Sequence, residues 1–179
     1  MAHVIAVFGA SGNQGGSVAR SLLGNPSFKV RAITRNPSSN ASQALASAGA
    51  EVVKANSFDR SEIVAAIRGA WGAFVNSNSN DPAFSKPEGP TELDLGKTII
   101  DGIAEAGVEH LVFSSGMPCE EMTGGKVKWD AADSTSTTQT SVFPYHSAND
   151  GPVKYKIEQY TKQLGKFNSF TPVIPRWYL

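Results

Sequence analysis

The stretch Val7-Phe8-Gly9-Ala10-Ser11-Gly12-Asn13-Gln14-Gly15-Gly16-Ser17-Val18 (VFGASGNQGGSV) places four glycines within eight residues near the start of the chain. Before it, residues 3–8 are a short apolar, β-branched run that reads as a fully buried strand. After it, Val18 with Leu22 and Ala19 with Leu23 recur at four-residue spacing, which predicts a helix over 15–23 closed by Gly24 and Pro26. Gly9-x-x-Gly12-x-x-Gly15 therefore marks a strand-to-helix turn, where a dinucleotide pyrophosphate can rest on the helix N-terminus. In that reading Gly9 permits the turn, Gly12 brings backbone to phosphate with no Cβ between, and Gly15 lets the helix lie against the strand. A tight turn without a ligand uses glycines too. The surrounding pattern decides between them.

Working outward, residues 29–34 (KVRAIT) are a second predicted strand, broken by Arg35-Asn36-Pro37. A helix over 42–48 stops at Gly49, and 51–54 (EVVK) is the third strand. Asp59-Arg60-Ser61-Glu62 has capping-box spacing and opens a helix to Arg68, with Gly69 after it. Residues 73–76 (AFVN) form strand four, Thr91 caps a helix reaching Ala106, and 110–114 (HLVFS) form strand five. A helix over 152–164 carries Pro152 in its first turn and Gly165 after its end, and strand six covers 170–174. Six such alternations predict an α/β protein, a Rossmann-type doubly wound parallel sheet with helices on both faces. In that setting the glycine triplet becomes a strong sign of a bound dinucleotide, contacted at Gly9, Ser11, Gly12, Asn13, Gln14 and Gly15.

The chain reads as one domain over 1–179, with no internal repeat. Residues 77–90 read as a loop. Residues 116–151, containing the polar run DSTSTTQTS, read as a long one, expected to be a functional lid or disordered, a mobile or cofactor-ordered segment. Arg176-Trp177-Tyr178-Leu179 directly follows strand six, which suggests a shortened domain.

Composition narrows the class. Sixteen basic and sixteen acidic residues cancel, which argues against a nucleic-acid or membrane surface. A single cysteine, Cys119, excludes an intrachain disulfide framework and a cysteine-rich zinc site, and without a basic neighbour it reads as inert. No apolar run approaches the ~20 residues of a membrane span, and MAHVIAVFGA lacks the basic lead of a signal peptide. The expected compartment is the cytoplasm, with the nucleus also open. His3, His110 and His146 show no metal-ligand spacing, and His110 reads as structural. Tyr145-His146 falls in the long loop, and Glu120-Glu121 reads as a solvated pair.

The kind of dinucleotide is read at the end of strand two, where an acidic residue would hold the ribose hydroxyls of NAD. None stands there. Arg35 does, followed by Asn36, Ser38 and Ser39, and a guanidinium suits a 2′-phosphate. This favours NADP(H), with a solvated loop arginine as the alternative. Asn56-Ser57 follows strand three, where adenine edges are read, although Asn56 equally suits turn chemistry.

With these residues in view, the chain resembles the NmrA-like family, an atypical branch of the short-chain dehydrogenase/reductases. The matching pieces are VFGASGNQGGSVARSLL, KVRAITRNPSS, GAEVVKANSFD, Asn76 after strand four, and KYKIEQY before strand six. The resemblance implies an NADP(H)-binding domain followed by a smaller C-terminal region that closes over the nicotinamide, here largely missing. It implies cofactor contacts at Asn76, Ser77, Lys154 and Tyr178 as well. The superfamily's Tyr-x-x-x-Lys pair is absent. By alignment Lys154 takes the lysine position, with Asp150 where the tyrosine would stand. Ser114 and Ser115 resemble the superfamily's serine position, and are also ordinary turn residues. Two functions follow from the resemblance. The first, favoured by the missing tyrosine, is a redox-sensing regulator without turnover whose loops contact a transcription factor or signalling enzyme. The second is an NADPH-dependent reductase of a small carbonyl or quinone, with Lys154, and Ser114 or a bound water, assisting. A homodimer is compatible with either, as is the absence of any direct nucleic-acid contact.

Overall fold

The computed structural model describes residues 1–86, 88–118, 122–124, 126 and 153–175. In chain order its elements are β1 (His3–Phe8), α1 (Asn13–Leu23), β2 (Phe28–Thr34), α2 (Asn40–Ser47), β3 (Glu51–Lys54), α3 (Arg60–Ile67) and β4 (Gly72–Val75). There follow a 3₁₀ turn (Pro82–Ser85), α4 (Glu92–Glu105), β5 (His110–Ser114), α5 (Val153–Leu164) and β6 (Ser169–Val173). All strands pair in parallel, in the order β3-β2-β1-β4-β5-β6. The chain winds from β1 outward to β3, then returns past β1 to build β4 to β6. The Rossmann-type expectation holds.

Strand periodicity divides the core in two. Ala6, Phe8, Ala73, Val75, Leu111 and Phe113 point to one face, against Ile63, Ile67, Ile99, Ile103 and Ile157 of α3, α4 and α5. Ile5, Val7, Ala32 and Phe74 point to the other, against Ala19 of α1 and Leu45 of α2. The central strands β1, β4 and β5 are largely apolar on both faces because helices cover both, as a parallel sheet requires.

Two glycines inside α4 have steric reasons. A Cβ at Gly96 would collide with Ile157 of α5, and one at Gly102 would stand 2.7 Å from Ile63 Cγ2 of α3. Glycine costs a helix interior about 1 kcal/mol relative to alanine. Close approach of the neighbouring helices offsets that cost.

Element boundaries differ from the sequence expectation by at most two residues, with two physical corrections. The capping box at Asp59 is one-sided. Asp59 accepts from the N–H groups of Ser61 and Glu62 at 2.9 and 3.1 Å, but the Glu62 carboxylate instead accepts from the Asn56 N–H at 2.8 Å. The two-sided box is at Thr91 and Asp94, where each side chain accepts from the other's backbone N–H, at 3.2 and 2.9 Å. The stretch 77–90 is also not featureless: Asp81 caps the 3₁₀ turn. His3 and His110 are structural, with ring centroids 4.2 and 4.1 Å from that of Trp71 at the amino ends of β1, β4 and β5. Cys119, Glu120, Glu121, Tyr145, His146, Asp150, Tyr178 and most of 116–151 lie outside the described residues.

Candidate functional site

At the carboxyl ends of the strands, where the order reverses between β1 and β4, lies a cleft of about 670 Å³. This is the crevice in which doubly wound sheets hold ligands. Its middle is the glycine turn. Gly9 has φ +66°, a left-handed conformation that favours glycine, and its carbonyl accepts from the Gly12 N–H at 2.9 Å. Gly15 sits directly under that carbonyl, and a Cβ there would collide with Gly9. Its role is therefore contact between helix and strand, and it does not line the cleft.

The side chains of Ser39, Asp59 and Thr91 cap α2, α3 and α4. Gly12, the residue capping α1, has no side chain to do so. The first-turn N–H groups of α1 thus keep their partial positive charge for a ligand.

The cleft's two ends come from opposite halves of the sheet. Toward β2 and β3 it is lined by Arg35, Asn36 and Ser57; toward β4 and β5 by Asn76, Ser77, Ser114 and Lys154. Gly9, Ser11, Gly12 and Gln14 lie between them. Gln14 bridges inward, its Oε1 accepting from Ser114 Oγ at 2.9 Å.

Other residues singled out from the sequence stay outside the lining. Asn13 does not line the cleft. Ser38 N–H donates to Asn36 Oδ1 in a local turn, and Ser39 is spent on capping α2. Asn56 is turn chemistry, its Oδ1 accepting from the Phe58 N–H at 3.2 Å.

Lys154 reaches the cleft from the first turn of α5. Its ammonium donates to Asn76 Oδ1 at 3.1 Å and to the Ser77 carbonyl and hydroxyl, both at 2.8 Å, with Glu92 Oε1 at 3.3 Å. Glu92 Oε1 also accepts from Ser77 Oγ at 2.6 Å and Ser79 Oγ at 3.0 Å. Both partners are largely buried, with side chains 21% and 11% exposed. Burial lowers the Lys154 pKa beneath its ordinary 10.5, while the charge and hydrogen bonding of Glu92 hold it up.

Sequence reasoning missed Glu92, because an acidic residue in a first helical turn normally reads as a surface partner of the helix dipole. It missed Asp81 for want of any periodic signal in the loop; Asp81-Pro82 was the available cue, a cap followed by proline. Nor did anything in the sequence single out Glu158 on the helix over 152–164. Glu158 is buried, accepting from Ser115 Oγ and from Lys162 Nζ, each at 2.6 Å. Among the described residues no three metal-ligating side chains converge, and no helix is long and apolar enough to cross a membrane.

A wound parallel sheet with a glycine turn and a cleft at its switch point defines a nucleotide-binding Rossmann-type protein. More particularly, the chain belongs to the NmrA-like family, whose model matches residues 1–179. It is 59% identical over 179 residues to the NmrA-like family domain-containing oxidoreductase FrzB of Cladobotryum sp, covering 100% of this chain and 48% of FrzB. It spans about half the length of the curated relatives it matches.

Among solved structures it superposes on the NADPH complex of the NADPH-dependent quinone oxidoreductase QOR2 of Escherichia coli. The TM-score is 0.69 and the identity 22%, over 97% of this chain and 49% of that one. It also superposes on NmrA, a negative transcriptional regulator, in complex with NADP. There the TM-score is 0.66 and the identity 23%, over 96% and 45% of the two chains.

Proposed function

We propose that the cleft binds NADP(H) and that the chain is the cofactor-holding part of an oxidoreductase acting on a small carbonyl or quinone. The observation that carries this reading is a single cleft running from Arg35, past the glycine turn, to Lys154. The dinucleotide's pyrophosphate rests on the uncapped start of α1, its adenosine end lies toward Arg35 and Ser57, and its nicotinamide end lies toward Asn76, Ser114 and Lys154. The residues fit such a ligand: a glycine turn with Ser11 and Gln14 at its centre, a cation at one end and hydrogen-bonding groups at the other. Oxidoreductase relatives such as FrzB support chemistry over sensing alone, which reverses the order in which the sequence ranks the two.

NADPH, when bound, supplies a hydride. Lys154 holds the segment after β4 against Glu92, and orients the nicotinamide ribose by exchanging one of its present acceptors for a ribose hydroxyl. Ser114, fixed by Gln14, bounds the nicotinamide end.

A second reading, the regulator, has its own support. No tyrosine is among the described residues lining the cleft, and the Lys154 ammonium already has a full set of acceptors. In that reading a protein partner, a transcription factor or signalling enzyme, responds to cofactor occupancy, and the two cofactor states must stabilise different loop arrangements.

Fluorescence titration with NADPH tests the shared premise. At Gly12 the backbone has φ −90° and ψ 176°, open to any residue, and a Cβ would stand a tight 3.3 Å from the Gly9 carbonyl oxygen. Gly12→Val is therefore expected to fold yet lose NADPH binding, because its methyls fill the cradle. Unchanged affinity in the folded variant sinks the site assignment.

NADPH oxidation across a panel of aldehydes, ketones and quinones then separates the readings. Turnover that falls in Lys154→Met at saturating cofactor supports the reductase. Tight binding with silence across the panel supports the regulator.

A further inference from the structure

Arg35 leaves the end of β2 and donates from Nη1 to Asp81 Oδ2 at 2.6 Å. The guanidinium is half exposed, while the carboxylate side chain is only 5% exposed. Asp81 is held from a second side, because its Oδ1 accepts from the Ala83 N–H at 3.0 Å and so caps the 3₁₀ turn. That turn is anchored in its own right: Phe84 meets Phe58 edge-on, with centroids 6.0 Å apart. Both Arg35 and Asp81 line the cleft. A negative charge therefore stands beside the guanidinium at the adenosine end of the cleft, the group suited to a 2′-phosphate.

We propose that Asp81 is a specificity-determining residue, which narrows the preference of this site for NADP(H) over NAD(H). The inference rests on the reading that the cleft binds nicotinamide dinucleotides. A 2′-phosphate reaching Arg35 must share the guanidinium with Asp81 and lie close to a like charge in a partly desolvated place. A 2′-hydroxyl meets no such repulsion and can donate to the carboxylate. Discrimination is the difference between attraction by Arg35 and repulsion by Asp81. The residue after β2 does not set it alone, since the opposing charge arrives from the segment between β4 and α4.

Asp81→Asn removes the charge and retains an oxygen able to cap Ala83. Titrated with NADPH and with NADH in parallel, this variant is expected to bind NADPH roughly three- to tenfold tighter, the size of a like-charge repulsion partly screened by solvent. Its affinity for NADH should stay level or fall. Asp81→Ser, a shorter neutral cap, should move the ratio the same way, and serves if the asparagine variant folds poorly.

Two outcomes overturn the inference. One is weaker NADPH binding in both variants, which would make Asp81 a residue that orients Arg35. The other is an equal change for both cofactors. If the wild type binds neither cofactor, the underlying reading of the cleft fails as well, and that result is distinct from an unaltered preference.

Discussion

Gly15→Ala is expected to lower the stability of the fold by about 3 kcal/mol, the upper end of the usual overpacking cost. Alanine normally gains about 1 kcal/mol over glycine inside a helix, so the sign itself is diagnostic. The loss arises because a Cβ at this position collides with the carbonyl group of Gly9, and backbone cannot swing aside as a flexible side chain can. Relief requires α1 to back away from β1, opening the packing of Ala19 against Ile5 and Val7. Urea unfolding followed by circular dichroism reads this directly. A variant as stable as the parent would show that α1 does not depend on that close approach.

The second large effect is expected at Lys154. Lys154→Met leaves Glu92 a largely buried carboxylate without its cation and deprives the Ser77 carbonyl and Asn76 Oδ1 of a donor. Breaking one side of such a pair costs about 3 kcal/mol, the low end of the range for fully buried pairs. Glu92→Gln added to Lys154→Met should recover most of that loss, because no uncompensated charge then remains. A double variant no more stable than Lys154→Met would disprove the network.

The pair also has a pH signature. The Lys154 pKa lies below 10.5 in the folded chain, so the unfolded chain binds this proton more readily. The charged lysine therefore opposes folding at neutral pH, and the opposition fades as pH climbs from the folded pKa to 10.5. Glu92→Gln removes the charge that helps to hold that pKa up. In an NMR titration the Lys154 amine should then lose its proton at a lower pH than in the parent.

The fold was legible because each strand announces itself twice, by apolar content and by a glycine, proline or cap at its ends. β1, β3 and β5 fall where the pattern puts them, at His3–Phe8, Glu51–Lys54 and His110–Ser114. The glycine turn was legible for a similar reason: only glycine suits the left-handed backbone at Gly9 and the crowding at Gly15.

What stayed hidden are the side chains whose roles depend on neighbours distant in sequence. Arg35 was readable as a cation at the end of β2, but its partner Asp81 stands 46 residues further on. Lys154 was found by resemblance alone, and nothing local distinguishes it from Lys156 or Lys162. Its burial against Asn76, Ser77 and Glu92 follows from α5 folding back over α4. Ser38 and Ser39 illustrate the converse. Their hydroxyls sit where a phosphate ligand is plausible, yet the Ser39 side chain goes to the first turn of α2.

The glycine at position 96 has a mechanical consequence. On α4 it lies one turn beyond Glu92, and on α5 Ile157 lies one turn beyond Lys154. Each helix thus presents its polar and its steric contact on one side. Ile157 fits over Gly96 like a key in a slot, while the ammonium meets the carboxylate a turn away. A keyed shaft cannot spin in its bearing. If a ligand takes Lys154 away from Glu92, α5 cannot absorb the change by rotating about its own axis, because that would drive Ile157 into the α4 backbone. The remaining freedom is a slide or tilt of the whole helix, whose far end leads through Leu164 into β6 at the rim of the sheet. A change at Lys154 is thereby geared to the edge strand.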